Sequence, residues 1–94
     1  MGATVSMHGR ITVDNADEMR QILAGALRSR RDTVTVDFSD VSYMDTAGLA
    51  TLMEALRTAR QQGTRLVLGG IQEQPRYLLK VTDLEHVFEI VETL

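Results

Sequence analysis

Residues 3–8 alternate apolar and polar side chains, Ala-Thr-Val-Ser-Met-His, and predict a half-buried strand with Val5 and Met7 inward. Gly9 to Val13 continues it as strand or turn. Asn15 then opens a helix, and Glu18 three residues on has the spacing of a capping box. Met19, Ile22, Leu23, Ala26 and Leu27 recur at helical spacing and predict one buried face, with Arg31-Asp32 closing the helix. Residues 33–38 alternate again, with β-branched residues dominant and Val34, Val36 and Phe38 on one side, so they predict a strand. A loop over 39–45 carries Asp40 and Asp45. A second helix over 46–62 has Leu49, Leu52, Met53, Leu56 and Ala59 as its apolar stripe, and Gly63 ends it. Residues 65–68 form a short apolar strand stopped by Gly69-Gly70. Pro75 suits the first turn of a third helix running to about Thr82. Residues 87–91 close the chain as a short strand or irregular extension. The order β-α-β-α-β-α predicts an α/β layer, with helices packed on a sheet that is at least partly parallel.

Composition narrows this picture. Ninety-four residues make one domain, 1–94, and 44% of them are hydrophobic. A chain of this size buries roughly 60 to 65% of its unfolded surface, enough to fold without staples. With no Trp and only four other aromatic side chains, the core is aliphatic. With no Cys there is neither a disulfide nor a thiolate site. The net charge of -3 and the mixed signs along the chain argue against nucleic acid, which asks for a clustered basic face. The one basic cluster, Arg28, Arg30 and Arg31, falls at a helix C-terminus, where positive charge is favourable. No apolar run nears the ~20 residues that cross a bilayer. A cytoplasmic protein without membrane insertion is the expectation.

Catalytic constellations are missing. His8 and His86 have no partners at metal or triad spacing and read as surface residues. Gly69-Gly70 belongs to no phosphate-binding pattern. Asp40 and Asp45 lack the convergent polar pocket of an acid/base pair, and Asp40 fits a turn that bonds local amides. No metal, cofactor or enzymatic activity is expected. The segment that stands apart is Asp45-Thr46-Ala47-Gly48, an acid and a hydroxyl at the mouth of a helix. The first turn of a helix presents unpaired N–H groups and partial positive charge, so an anion on Thr46 is tolerable there. Gly48 leaves little bulk beside the hydroxyl. The same residues also read as an ordinary N-cap, and spacing alone leaves both readings open.

The stretch Asp45-Thr46-Ala47-Gly48-Leu49, preceded by an apolar strand and Val-Ser-Tyr-Met, closely resembles the Asp-Ser/Thr-x-Gly-Leu signature of STAS domains. Bacterial anti-sigma-factor antagonists and the cytoplasmic tails of sulfate transporters share that domain. Gly9-Arg10-Ile11 with Asn15-Ala16 resembles the approach to its first helix. Gln61-Gln62-Gly63 and Leu84-Glu85-His86-Val87-Phe88 resemble later landmarks, so the likeness spans essentially the whole chain. It implies the STAS fold, a small mixed β-sheet packed against helices in β-α-β-α-β-α order.

It also implies a function. In antagonists of this kind the hydroxyl residue after the signature Asp is phosphorylated by a serine/threonine kinase that is itself the anti-sigma factor. The unphosphorylated form binds that kinase, the phosphorylated form releases it, and a phosphatase resets the switch. Carried onto this chain, Thr46 is the phosphoacceptor. Thr12, Asp14, Asn15, Asp45, Ala47 and Gly48 form the partner-binding surface, with Asp45 and Gly48 shaping the loop. Many antagonists have Asp at the position of Thr12, and here Asp14 stands two residues further on. Asp-Thr-x-Gly-Leu also occurs in STAS subunits of phospholipid-transporting ABC systems, which seat on the ATPase. The resemblance therefore carries two roles, with a kinase or an ABC ATPase as partner. A small-ligand or nucleotide-binding module is a third.

Overall fold

The structure is a computed structural model and describes residues 2–93. Among these residues four strands and three helices alternate: β1 (Gly2–Ile11), α1 (Ala16–Arg28), β2 (Thr33–Met44), α2 (Thr46–Gln62), β3 (Arg65–Gly69), α3 (Glu73–Val81) and β4 (Glu89–Val91). The strands lie in the order β1-β2-β3-β4, and all three ladders are parallel, so the sheet is parallel throughout and not mixed. Each crossover carries a helix, as parallel neighbours require.

Register explains the alternating pattern. Ala3, Val34 and Leu66 share one row, and Val5, Val36, Leu68 and Ile90 share another. These rows face the helices. Val34, Val36, Phe38, Leu66 and Leu68 join Met19, Leu23 and Leu27 of α1, Leu49, Leu52 and Leu56 of α2 and Leu79 of α3 in one apolar cluster. The alternate rows, Thr4-Thr35-Val67-Glu89 and Ser6-Asp37-Gly69-Val91, form the reverse face, which is mostly polar.

Several expectations need correction. Ile22 is 43% exposed, because α1 turns Met19, Leu23 and Leu27 onto the sheet and leaves Ile22 beyond its edge. Met53 is only partly buried against the core. Residues 39–44 are not a loop: β2 runs on to Met44, paired with His8, Gly9, Arg10 and Ile11 of β1. Two register shifts put extra residues into β2, where a run of polar residues breaks the alternation. Asp40 makes no local turn. It faces His8 across the ladder at 3.3 Å, and Asp37 instead accepts from the Ser39 N–H and hydroxyl. Those two bonds, the hydroxyl first, hold the Asp37 carboxyl below the usual carboxylate range. Asn15 caps no helix amide. Its Oδ1 accepts from Thr12 N–H at 2.8 Å and its Nδ2 donates to the Arg10 carbonyl, so the capping box is not formed.

Candidate functional site

The C-terminal ends of β1 and β2 lie side by side, with Ile11 opposite Met44. The chain leaves β1 through a tight turn over 12–15, in which the Thr12 carbonyl accepts from the N–H groups of Asn15 and Ala16. Thr12 Oγ1 accepts from Asp14 N–H, and the Asn15 side chain closes the turn from behind. Asp14 is exposed, and Thr12 and Asn15 are half-buried. The chain leaves β2 directly into α2.

Asp45 joins the two exits. Its N–H donates to the Ile11 carbonyl at 3.0 Å. One carboxylate oxygen, Oδ1, accepts from Ala47 N–H at 2.9 Å and Gly48 N–H at 3.1 Å, which makes Asp45 the N-cap of α2. The other, Oδ2, accepts from Val13 N–H at 3.0 Å. One side chain thus stops the helix fraying and ties the 12–15 turn to its start.

Thr46 occupies the first helical position and is exposed. Its hydroxyl takes no hydrogen bond among the described residues. The expectation that an anion on Thr46 is received by the first-turn amides needs revision. Ala47 N–H and Gly48 N–H already point at Asp45. The Thr46 side chain is exposed beside a carboxylate whose two oxygens are both bonded to backbone amides.

Gly48 serves the inside of the protein. A Cβ on it would stand 2.7 Å from Met44 Cγ and 2.9 Å from Ile11 Cγ2, so only glycine lets the first turn of α2 settle on the strand ends. Gly48 is buried, Ala47 half-buried.

Three further residues lie at this end and give little sign of it in sequence. Gln74, on α3, accepts from Met44 N–H and donates to the Met44 carbonyl, at 2.8 and 3.0 Å, clamping the last residue of β2. Val13, whose N–H meets Asp45, is 74% exposed, and Tyr77, on the outer side of α3, is 63% exposed. Tyr77 and Gln74 line a shallow hollow with Ser42, Gln72 and Glu73. An apolar side chain on a turn and a polar one on a short helix carry no periodic signal. In sequence, the Asp-Thr signature and the Thr12–Asn15 stretch pointed to this region.

No group of three or more metal-ligating side chains occurs among the described residues. Among the described residues no helix is long and apolar enough to cross a membrane. The arrangement is one exposed hydroxyl on a rigid, hydrogen-bonded corner, flanked by exposed apolar side chains. It suits recognition by another protein.

An anti-sigma-B factor antagonist of Listeria monocytogenes is 29% identical over 82 residues, covering 87% of this chain and 72% of that protein. Among solved structures, a Thermotoga maritima protein described as a candidate anti-sigma factor antagonist superposes with a TM-score of 0.86 at 19% identity, covering 97% of this chain and 80% of that one. The anti-sigma factor antagonist SpoIIAA in its unphosphorylated form superposes with a TM-score of 0.74 at 15% identity, covering 97% and 79%. These structural likenesses establish a shared fold. A family model described as "Mlab, STAS domain" matches residues 2–92, and the chain therefore belongs to the STAS domain family.

Proposed function

We propose that this protein is a non-enzymatic, phosphorylation-switched binding regulator of the anti-sigma-factor antagonist type. Unphosphorylated, it docks a kinase that is also an anti-sigma factor through the corner formed by Thr12, Asp14, Asn15, Asp45, Ala47 and Thr46. Phosphorylation of Thr46 ends the complex, and a phosphatase restores it. The observation that carries the reading is the division of labour at 45–46. Asp45 spends both carboxylate oxygens on backbone amides, while the Thr46 hydroxyl beside it is exposed and bonded to nothing among the described residues. A hydroxyl needed only for capping would be bonded as Asp45 is. Relatives named anti-sigma-B factor antagonist support the regulator class.

A phosphate brings a charge of roughly -1.5 to -2 to this corner. Because Asp45 is fixed by three amides, it has no freedom to swing away. The added charge must be desolvated beside a carboxylate when a partner docks, which opposes binding. The test is incubation with the candidate kinase followed by mass spectrometry. Phosphate on Thr46, and none on the Thr46→Ala variant, is the expected result. Phosphate elsewhere, with Thr46 unmodified, overturns the reading.

A second reading, an accessory subunit seated on an ABC ATPase, is favoured by the threonine in the Asp-Thr-x-Gly-Leu signature and by the Mlab description of the matching family. It predicts that Thr46→Ala weakens assembly with no kinase present.

A further inference from the structure

α1 and α2 lie side by side on the sheet, and they do not close against each other along their whole length. Between them is a hollow of about 150 Å³. Its floor is apolar. Leu23 and Leu27 of α1 and Ala55 of α2 are buried core residues, and Ala24 is half-buried at its side. The short side chains of Ala24 and Ala55 leave room that a larger pair would fill. Thr51 is also buried here, and its hydroxyl is already engaged by the Ala47 carbonyl.

The two ends of the hollow differ in charge. At one end Arg20 bonds Glu54 at 3.0 Å and also Asp17, so its guanidinium is taken up by carboxylates. At the other end is Arg28, about 12 Å further along α1 at 1.5 Å of rise per residue. Arg28 takes part in no ion pair or hydrogen bond among the described residues. Gln62 closes this end by donating to the Leu27 carbonyl at 2.7 Å. Thr58, one turn before Gln62, adds an exposed hydroxyl that is likewise without a partner among the described residues.

We propose that this hollow binds a small monocarboxylate with an apolar body of about six carbons, a size that follows from the volume, since an apolar cavity of about 150 Å³ holds a benzene-sized ligand. The body lies on Leu23, Ala24, Leu27 and Ala55, and burying it there removes apolar surface from water on both sides. The head meets Arg28, whose guanidinium can grip a carboxylate through two parallel N–H bonds, with the Thr58 hydroxyl as a further donor. Asp17 and Glu54 at the far end oppose a second negative charge, which disfavours a dicarboxylate, and a nucleotide exceeds the space. The hollow shares α2 with the Thr46 corner but none of its residues, so the site stands independently of the phosphorylation switch.

Titration of the full chain with hexanoate, followed through the backbone amide NMR spectrum, tests this. Saturable shifts are expected at Leu23, Ala24, Leu27, Ala55 and Thr58. Hexylammonium and hexanol, which keep the chain and change the head, should bind at least about tenfold more weakly. Arg28→Gln, at an exposed position, should weaken hexanoate by about tenfold or more. Ala24→Leu, which fills the hollow, should abolish saturation, and melting curves confirm that both variants are folded. Hexanoate that gives no saturable shift at millimolar concentration, or shifts only amides outside the hollow, overturns the proposal. Equal binding of hexanol, or full affinity in Arg28→Gln, overturns the assignment of a carboxylate to Arg28.

Discussion

Asp45 and Gly48 make the corner what it is, and each answers to a simple substitution. Asp45→Ala removes the helix cap, worth about 0.5 to 2 kcal/mol, and also strands the Val13 amide. Chemical denaturation should show a loss toward the upper end of that range, and Asp45→Asn should recover part of it. An unchanged midpoint for Asp45→Ala would mean that the cap is idle. Gly48→Ala gains about 1 kcal/mol of helix propensity. It also forces a methyl to within 3 Å of Met44 and Ile11, both in the closed core. Overpacking of that kind costs about 1 to 3 kcal/mol, so the variant should be less stable than wild type despite the better helix former. Sequence revealed the Asp-Thr-x-Gly string but not this use of the glycine. The reason for Gly48 is a contact with residues 4 and 37 positions away, and spacing within a helix carries no trace of it.

At the scale of elements, the alternating pattern named all three helices and placed the strands because their core rows are short, clean runs of Val, Leu and Phe. It missed the second half of β2. Residues 39–44 include three polar or charged side chains, and their strand geometry comes from pairing with β1, a tertiary effect. Ile22 was misplaced for a related reason: helical spacing defines a stripe, but the width of sheet beneath it decides how much of the stripe is covered. Two predictions belong here. Gln74→Ala leaves both polar groups of the buried Met44 backbone unpaired, at about 1 to 3 kcal/mol. Hydrogen exchange at the Met44 amide should accelerate strongly, while amides in the middle of β3 stay protected. Uniform acceleration would show instead that Gln74 supports the whole fold. The second concerns acid. Asp37 is held below the usual carboxylate range by Ser39, and Glu89 by its bonds to Arg65. A lowered folded-state pKa stabilises above the unfolded value, so these contributions are complete at neutral pH and fade as pH falls below about 4. Glu89→Gln should therefore flatten the acid limb of the stability profile by lowering its neutral plateau toward the acid value. An acid limb identical to wild type would remove the Arg65–Glu89 pair from the account.

For the whole molecule, the parallel sheet gathers the exits of β1 and β2 at one end, and the regulatory reading depends on that topology more than on any single side chain. Thr12 and Thr46 are 34 residues apart in sequence, yet Asp45 bonds both strand exits. Because the Thr46 hydroxyl supports nothing, stability and binding should separate. Thr46→Ala should alter unfolding free energy by no more than about 0.5 kcal/mol, as at other exposed sites. Thr46→Glu, at a helix start, should shift it by less than about 1 kcal/mol. The most direct measurement is calorimetric titration of the cognate anti-sigma kinase with wild type, Thr46→Glu and the phosphorylated protein, each shown to be folded by its melting curve. The account predicts tight binding by wild type and a loss of about a hundredfold or more, near 3 kcal/mol, for the other two at nearly unchanged melting temperature. Equal affinity for all three, in folded proteins, would contradict it.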